Sequence, residues 1–505
     1  MKRVFGIETE YGITVQGVAS LDVVAESIEL VRSYAEQGVH MKWDYALEDP
    51  HRDARGFRAP SLLQDTDESA YIEIDRKRPL SFEEIKSDLV LSNGARFYND
   101  HAHPEYSTPE CTTVRELVAQ EKAGERILAE CARYRTAQLA SDQKVRLFKN
   151  NTDFAGHSYG CHENYLTRRD LPWERLVAGV LPFLITRQIF AGAGKLGIEA
   201  ESGDAEPGQY QISQRADFFT TVTSIDTMNK RPLVNTRDEP HAEASRYRRF
   251  HAIIGDSNMS EWATALKIGT TALVLGLIEN GQAPAIEIAQ PVNATKSISR
   301  DKDHSWIIEL SDGRKISAID VQRLYLEAVV RENSGAVSDE ISWLLHEWEI
   351  VLDDLAADVR STSDRVDWVA KKFMLESFRE QEKLDWSDPW LQAIDLEYHN
   401  IEPEEGLFYE LVRQGSMRTI VDEEGITAAR LRPPETTRAW FRGRSVARFN
   451  HAISSIQWDE IRFSDGKKSR LVKLPEPAEG ERLEKLNALV NGENDFEEFF
   501  AQLSV

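Results

Sequence analysis

The sequence predicts an α+β fold in which helices cover one side of a sheet. Residues 5–12 and 95–100 alternate apolar and polar side chains, as half-buried strands do. Apolar residues recur at helical spacing over residues 114–139 and over most of residues 319–378. The connections between the strand segments are unlike one another, which favours an α+β sheet over a doubly wound parallel sheet.

The first strand segment carries two glutamates two residues apart. Alternate side chains of a strand share a face, so Glu8 and Glu10 project together while Ile7 and Thr9 point the other way. With Glu105 these carboxylates form a candidate Mg²⁺ site, because proteins hold Mg²⁺ through carboxylate oxygens together with water and phosphate. A solvent-facing strand edge is the alternative for the glutamate pair.

The second strand segment follows the turn signal Asn93-Gly94 and carries Arg96, Tyr98 and Asp100 on one face. A positive charge close to a carboxyl group lowers its pKa, so Asp100 would be ionised at neutral pH. It would then be available as a nucleophile or as a general base. A salt bridge between Asp100 and Arg96, or a turn cap, is the structural alternative.

A long irregular segment separates these two strand segments. Residues 41–86 are rich in charge, proline and aspartate and lack periodicity. A loop of this length within a compact domain is usually mobile or functional, so we interpret it as an insertion between two site-bearing strands. The chain changes character again near residues 432–434. We expect a large domain over residues 1–430 and a small C-terminal domain over residues 431–505.

Net charge limits the classes of partner. The 505 residues carry a formal charge of −24, which repels nucleic acids and anionic membranes at long range. The densest basic stretch, residues 245–251, is interpreted as the solvated edge of a helix. We therefore expect neither general nucleic-acid binding nor membrane binding.

Cysteine count and hydropathy indicate the compartment. Cys111, Cys131 and Cys161 are an odd number without a paired short spacing, so neither a disulfide framework nor a zinc site is expected. No window approaches the ~20 apolar residues that span a membrane, and the first strand segment follows the start without a long apolar stretch. These observations predict a cytoplasmic protein.

Two histidines and one arginine are further candidates for a site. His162 and His241 could contact a metal ion or a phosphate, although a lone histidine is commonly a hydrogen-bonded structural residue. The planar guanidinium of Arg237 suits a grip on phosphate or carboxylate. A surface ion pair of Arg237 with Asp238 or Glu239 is the alternative.

One motif points to a different class of protein. Residues 192–197 match the G-x-G-x-x-G pattern of dinucleotide-binding folds, and Asp217 lies at about the distance of a ribose-binding acid. The context differs, because residues 181–188 read as a helix and not as the opening strand. Pro207-Gly208 also interrupts the region where the crossover should be completed. A nicotinamide or flavin site is therefore not expected.

Taken together, a series of motifs resembles the Pup ligase and Pup deamidase family. The motifs are GIETEYG at residues 6–12, NGARFY at 93–98 with Asp100, HPEY at 103–106, KNN at 149–151, YGCHENY at 159–165, NTRDEPH at 235–241, GSM at 415–417 and RAWFRG at 438–443. The resemblance implies a fold of the glutamine-synthetase type. In that fold a curved, mainly antiparallel sheet cradles ATP and magnesium under a helical cover, next to a small C-terminal domain.

Two opposed activities occur in that family, attachment of the ubiquitin-like protein Pup to lysines and its removal. KWDY at residues 42–45 and RDARGF at 52–57 resemble the loop of the deamidase and depupylase branch, as does DHAH at 100–103. Ligases join the two strands by a shorter segment. The resemblance therefore implies hydrolysis of the isopeptide bond between Pup and substrate lysines, and deamidation of the C-terminal glutamine of Pup. Pup, pupylated proteins and a link to the bacterial proteasome are the implied partners.

The resemblance also implies which residues hold metal ions. Glu8, Tyr98 and Glu105 would hold one magnesium ion. Glu10 and His241 would belong to a second ion site.

Nucleotide and catalytic roles are likewise implied by the resemblance. Arg96, Thr108 and Trp458 would contact ATP, which is bound as a cofactor and is not consumed stoichiometrically. Asp100 would attack the amide carbonyl or activate water. Magnesium and Arg96 would stabilise the developing oxyanion.

Three alternatives remain open from the sequence: a Pup ligase, a non-catalytic Pup or nucleotide sensor, and a small-molecule carboxylate-amine ligase. An acidic chain that binds an acidic partner needs a local basic groove. Arg246, Arg248 and Arg249 are candidates for its border.

Overall fold

A computed structural model of the chain describes residues 3–35, 43–62, 77–199, 206–227, 231–335, 337–492 and 495–503. Lys42 of the KWDY motif and residues 63–76 of the insertion lie outside the described residues.

Strands β1 to β17 alternate with helices along the chain. In chain order they are Phe5–Glu10, Gly12–Gln16, Leu89–Val90, Arg96–Asp100, His103–Ser107, Lys144–Phe148, Cys161–Arg168, Lys195–Leu196, Tyr210–Gln211, Thr221–Ser224, Pro232–Asn235, Tyr247–Ala252, Ile307–Glu309, Lys315–Ser317, Ile453–Ile456, Glu460–Ser464 and Ser469–Lys473.

Helices α1 to α16 occupy most of the second half of the chain. In chain order they are Val23–Ala35, Phe82–Lys86, Val114–Thr136, Trp173–Thr186, Gln188–Ala191, Glu261–Glu279, Pro291–Arg300, Ala318–Glu332, Asp339–Ala357, Asp367–Glu382, Pro389–Tyr398, Leu407–Arg413, Glu423–Ala429, Ala439–Phe449, Gly480–Asn491 and Phe496–Gln502.

A six-stranded sheet forms the centre of the large domain. Its strand order is β12-β7-β1-β5-β4-β3, and every neighbouring pair in it is antiparallel. Within the described ranges, the parallel strand pair is β10 with β11, which lies outside this sheet. The predicted α+β class with a mainly antiparallel sheet is confirmed.

The two faces of the sheet differ as the period of two predicts. Along β1, Phe5, Ile7 and Thr9 are buried, while the intervening side chains are partly exposed. The apolar face packs on helices α1, α3 and α6, where Phe5 and Ile7 join the largest hydrophobic cluster of the protein. Burial of this face orients the polar face, with Glu8 and Glu10, away from the helices.

Helix α6 is apolar on nearly every side. Among the described helices it is the one whose length and composition would allow it to cross a membrane, but 83% of its most apolar window is buried inside the protein. Its N-terminus is capped by Ser260, whose side chain accepts a hydrogen bond from Ala263 N. The expectation that no window resembles a membrane span was too broad, because a fully packed core helix has the same composition.

The C-terminal segments pack around a separate hydrophobic cluster. Phe441, Phe463 and Phe499 lie at its centre and are fully buried. Trp43 and Val90, which are distant in sequence, join this cluster from the side of the central sheet. The boundary at residue 431 remains a prediction, but a distinct C-terminal core agrees with it.

The basic stretch at residues 245–251 was interpreted wrongly as a helix edge. It forms strand β12 and pairs with β7 along six residues, from Tyr247 opposite Arg168 to Ala252 opposite Glu163. A dense run of charge does not distinguish a helix from a strand whose alternate side chains face a polar cavity.

The turn before β4 joins the sheet to the C-terminal domain. Gly94 has φ +80°, and its N–H donates to Leu91 O at 2.8 Å. A Cβ atom at Gly94 would lie 2.9 Å from Ala439 O at the start of α14. The position therefore requires glycine for two reasons, its backbone conformation and the close approach of a helix.

Gly94→Ala is expected to lower the free energy of unfolding by about 2–4 kcal/mol, since the left-handed backbone alone costs about 1–2 kcal/mol and a backbone clash adds to it. Gly56 is a matched control, because it has φ +93° and no atom lies within 4 Å of the position that a Cβ would take there. Gly56→Ala should show only the backbone cost of about 1 kcal/mol. Urea unfolding measures both; equal losses would contradict the proposed clash.

Candidate functional site

A cavity of about 750 Å³ lies over the polar face of the central sheet. Side chains from five of the six strands line it, together with residues of the insertion, of the loop after β11 and of the C-terminal domain. Its lining includes all but one of the predicted site residues: Glu8, Glu10, Arg96, Tyr98, Asp100, Glu105, Arg237, His241 and Trp458.

Strand register brings the polar side chains into rows across the sheet. Glu10 of β1 lies opposite Glu105 of β5, which lies opposite Tyr98 of β4. In the next row His103 lies opposite Asp100. Opposite residues of antiparallel strands have Cβ atoms about 4.5–5.5 Å apart, so the rows place the acidic residues next to Asp100.

An acidic cluster suited to a divalent cation occupies the middle of this surface. Ligand atoms of Glu10, Glu105 and His162 lie within 4.8 Å of one another, and so do those of Glu8, His162 and His251. Carboxylate oxygens with imidazole nitrogens are a donor set that divalent metal ions accept.

The electrostatics of Glu105 support a cation at this position. Burial raises its pKa well above the usual range, and the charges of Asp100, Glu8 and Glu10 raise it further. Tyr98 Oη donates a hydrogen bond to Glu105 Oε1 at 2.7 Å, which only partly offsets the repulsion. A divalent cation would relieve the mutual repulsion of these carboxylates, so the residues present fit Mg²⁺.

Glu8 differs from Glu105 because positive groups surround it. Burial alone would raise its pKa, but the hydrogen bond with His162 and the charges of His251 and Arg249 hold the pKa well below the usual range. Asn164 also donates to Glu8 Oε1 at 3.0 Å. Glu8 therefore stays ionised as a metal ligand would.

His162, His241 and His251 are histidines of the cavity lining that could contribute to an ion site. His241 lines the cavity, but in the part of the chain that the structure describes it belongs to neither group of clustered ligand atoms. His162 is the histidine close to Glu10, and His251 adds a second imidazole. The sequence had singled out His162 as a possible metal or phosphate contact, and it gave no signal for His251.

Asp100 is held by a lysine of the segment that ends the insertion. Lys86 Nζ lies 2.6 Å from Asp100 Oδ1. Burial alone would raise the pKa of Asp100, but the charges of Lys86, His101 and Arg96 together hold it well below its usual range. The predicted ionised aspartate is thus present. The alternative of a direct Asp100–Arg96 salt bridge is not what the structure shows, since the close partner of Asp100 is Lys86.

Arg96 is fixed on all sides. Its Nε donates to Asp88 at 2.7 Å, and the guanidinium lies 4.0 Å from the ring centre of Trp43 and 3.9 Å from that of Tyr98. A guanidinium between two aromatic faces is well oriented, because each ring attracts the cation. Trp43 belongs to the insertion, which therefore contributes to the wall of the cavity.

The first part of the insertion docks on the loop that carries Arg237. Asp53 pairs with Arg237 in a β-bridge, and Thr236 Oγ1 donates to Asp53 Oδ2 at 2.6 Å. Ala54 N donates to Thr236 O at 2.8 Å. This part of the insertion is consequently an ordered wall and not a free loop.

Arg237 faces the cavity. Its side chain donates to Thr227 Oγ1 at 3.2 Å, and burial lowers its pKa. Among the described residues its Nε is buried without a hydrogen-bond partner. The alternative of a surface ion pair is not formed there, because Asp238 binds Arg169 at 2.7 Å and Glu239 accepts from Asp49 N at 2.7 Å. A buried guanidinium with an unsatisfied donor suits an anionic ligand.

Trp458 lines the cavity from the C-terminal domain, with its ring centre 5.4 Å from that of Trp43.

Thr108 is the predicted site residue that the structure does not bring into the cavity. Its side chain is 5% exposed, and its hydroxyl accepts a hydrogen bond from Ile7 N at 3.0 Å. Local sequence could not show that Trp458 lines the cavity and Thr108 does not, since the burial of Thr108 behind β1 depends on long-range strand pairing.

Only one of the three arginines suggested for a partner groove faces outward. Arg248 is buried and donates to Leu171 O at 3.0 Å. Arg249 points into the cavity, 3.4 Å from Glu8. Arg248 and Arg249 point to opposite faces because they are neighbours in a strand. The suggestion that Arg248 borders a partner groove is therefore wrong.

The G-x-G-x-x-G segment is part of the interior and not a nucleotide loop. The helices Trp173–Thr186 and Gln188–Ala191 precede it, as predicted. Asp217, the candidate ribose-binding acid, pairs with Lys195 at 2.8 Å and with Arg300 at 2.7 Å. Its carboxylate is therefore already used within the fold.

An antiparallel sheet that places an acidic cluster, an aspartate and a guanidinium on the wall of one cavity is the arrangement of an enzyme active site. A family model described as Pup-ligase protein matches residues 3–462. The chain belongs to this Pup-ligase protein family.

Curated relatives separate into two groups by coverage. A depupylase of Acidothermus cellulolyticus is 44% identical over 95% of this chain and 95% of its own length. A Pup deamidase/depupylase of Mycobacterium tuberculosis is 40% identical over 100% of this chain and 99% of its own length. A Pup–protein ligase of Acidimicrobium ferrooxidans is 42% identical over 79% of this chain and 89% of its own length. Among these three curated relatives, the two that match nearly the whole chain are named as depupylases.

Two solved structures share the fold. The Pup ligase PafA in complex with Pup superimposes with a TM-score of 0.78 at 31% identity, covering 100% of this chain and 98% of the other. PafA in complex with ADP gives a TM-score of 0.73 at 34% identity, covering 86% and 97%. The family fold therefore extends along the whole chain.

Replacing Glu105 by glutamine should relieve the repulsion in the acidic cluster. When folding raises the pKa of a carboxyl group, the protein loses stability as the pH rises from the unfolded pKa of about 4.3 towards the folded pKa. At pH 7 the carboxyl group of Glu105 therefore destabilises the protein. We expect Glu105→Gln to raise the Tm in EDTA by about 2 °C or more and to remove the further rise that Mg²⁺ gives the unsubstituted protein.

Thermal unfolding with EDTA and with MgCl₂ measures this effect. Glu484 is exposed, and Glu484→Gln is the control that should leave both Tm values unchanged. A Mg²⁺-dependent rise of the same size in Glu105→Gln would show that the cation binds elsewhere.

Proposed function

We propose that this enzyme is a depupylase and Pup deamidase, with Pup and pupylated proteins as its partners. The observation that carries the proposal is Asp100, an ionised carboxylate on the cavity floor next to the acidic cluster. The full-length similarity to depupylases supports the direction of the reaction. A cytoplasmic location and a link to the bacterial proteasome belong to the same proposal.

The reaction is hydrolysis of a side-chain amide. Water supplies an oxygen to the carbonyl carbon of the C-terminal residue of Pup, the C–N bond breaks, and the nitrogen leaves with a proton. With a Pup conjugate the products are Pup ending in glutamate and a free lysine amine. With Pup ending in glutamine, the products are Pup ending in glutamate and ammonia.

Asp100 can begin this reaction by either of two routes. It can attack the carbonyl carbon, giving an anhydride that water then hydrolyses, or it can take a proton from the attacking water. Label found in Asp100 after a single turnover in H₂¹⁸O would establish the covalent route, because general-base catalysis never places the oxygen of water in that side chain.

Magnesium and ATP are the proposed cofactors. One ion would be held by Glu8, Tyr98 and Glu105, and a second by Glu10 and His241. His162 is a further candidate ligand, because its ring lies close to the carboxylates of Glu8 and Glu10. When bound, the ions would neutralise the acidic cluster and polarise oxygen ligands.

The nucleotide would contact the cationic and aromatic side of the cavity. Arg96 and Arg237 present guanidinium groups suited to phosphate, and Trp458, whose ring packs against Trp43, presents aromatic surface suited to a base. Thr108 is the remaining proposed nucleotide contact, and it would act through the backbone of β1, because its hydroxyl accepts a hydrogen bond from Ile7 N. The ADP complex of the related ligase supports nucleotide binding in this family.

A Pup ligase is the second candidate function, because the ligase relatives are nearly as similar over the part that they share. A purified Pup–lysine conjugate separates the two functions, in the presence and absence of Mg-ATP. Release of free Pup supports the depupylase. ATP-dependent conjugation without release would support the ligase, and the absence of any turnover would support a non-catalytic sensor.

Asp100→Asn should lower the rate of conjugate cleavage by at least about 100-fold, since the amide can neither attack nor accept a proton. Nucleotide affinity should change little. Asp142→Asn is a matched control at an exposed position outside the cavity and should cleave normally. Undiminished cleavage by Asp100→Asn would contradict the proposed role of this carboxylate.

Trp458→Ala should weaken ATP binding by about 10-fold, because stacking of a base on an aromatic ring contributes about 1–3 kcal/mol. Calorimetric titration with ATP and Mg²⁺ measures the affinity. Trp390 is 46% exposed and lies outside the cavity lining, so Trp390→Ala is the control that should bind as the unsubstituted protein does. Equal affinities for all three proteins would remove Trp458 from the nucleotide site.

A further inference from the structure

Lys86 stands at the end of the short helix α2, where the chain leaves the insertion. Its Nζ lies 2.6 Å from Asp100 Oδ1, and both side chains line the cavity. Neither is exposed on the outer surface, since the side chains of Lys86 and Asp100 are 16% and 22% accessible. The contact is thus a partly buried ion pair inside the site, where screening by water is weaker than at a surface.

Local structure holds Lys86 in this position. Helix α2 begins with a capping box at Ser81 and ends at Ser87, which has φ 50°. Asn99 Nδ2, on the neighbouring strand β4, donates to Ile85 O at 3.1 Å. A capped helix tied to the strand that carries Asp100 is a rigid support, so the lysine does not have to find its partner from a flexible loop.

The segment around Lys86 matches the charges of β4 in order. Asp88 accepts from Arg96 at 2.7 Å, and Lys86 lies 5.6 Å from the ring centre of Tyr98 on its way to Asp100. Asp88 therefore pairs with Arg96 at one end of β4, and Lys86 pairs with Asp100 at the other end. This order accounts for why the same short segment orients both Arg96 and Asp100.

The two oxygens of Asp100 have different surroundings. Lys86 engages Oδ1, while Oδ2 faces His101 Nε2 at 3.9 Å, beyond hydrogen-bonding distance. The terminal torsion of an aspartate is broad, so a single anchored oxygen restricts the plane in which the other oxygen points. Orientation of a reacting group within a narrow range is worth a large factor in rate.

We propose that Lys86 is a positioning residue, which anchors Oδ1 of Asp100 so that Oδ2 faces the amide or the attacking water. This inference rests on the proposed function and deepens it. Lys86 acts through Asp100 and not on the substrate. Its removal should therefore slow the chemical step without a comparable change in substrate binding.

The test uses the full chain with a purified Pup–lysine conjugate at saturating Mg-ATP. Lys86→Met removes the charge and keeps the length of the side chain, while Lys86→Arg keeps the charge. We expect Lys86→Met to lower kcat by about 100-fold with KM changed by less than about 3-fold. Lys86→Arg should recover kcat to within about 10-fold of the unsubstituted enzyme.

Lys77→Met is the matched control, because Lys77 precedes the same helix and is exposed. It removes an identical charge from the same segment and should leave kcat unchanged. In the Asp100→Asn background, Lys86→Met should cause no further loss, since the group that it positions is already gone.

An unchanged or increased kcat in Lys86→Met would overturn the proposal. So would a loss that Lys86→Arg does not recover and that comes with weaker nucleotide binding, because that pattern indicates a brace for the fold. These results leave the proposed function intact as long as the unsubstituted enzyme cleaves the conjugate and Asp100→Asn does not. If the unsubstituted enzyme fails to cleave, both proposals end.

Discussion

Three carboxylates share one face of the central sheet, and their mutual repulsion is the constraint around which the cavity is arranged. Antiparallel pairing of β1 with β5 places Glu10 opposite Glu105, and Glu8 lies two residues away on the same face. The apolar residues between them are buried against helices, so the glutamates cannot turn away from one another. Positive groups nearby, or a bound cation, reduce the repulsion between these carboxylates.

The rest of the cavity is assembled from segments far apart in the chain. The flank of the insertion supplies Tyr45, the loop after β11 supplies Arg237, and the C-terminal segments supply Trp458. Trp43 contacts both Arg96 and Trp458, so it links the sheet to the small domain. The insertion is thus part of the wall of the cavity.

Much of the site was predictable because strands alternate with a period of two. The faces of Glu8 with Glu10, and of Arg96 with Tyr98 and Asp100, are as the sequence indicated. The partners were not predictable in the same way. Asp100 pairs with Lys86 and not with Arg96, and residues 245–251 form a strand, because both outcomes depend on which distant segment packs alongside.

The sequence by itself determined the class of fold, the polar faces of the two site-bearing strands and, through its motifs, the family. Those properties are local, since they depend on side-chain alternation and on short runs of residues. Tertiary structure decided the strand order, the inclusion of His162 and His251, and the burial of Thr108 behind β1. Strand register and ion pairing join residues that are tens to hundreds of positions apart, so no short window of sequence contains them.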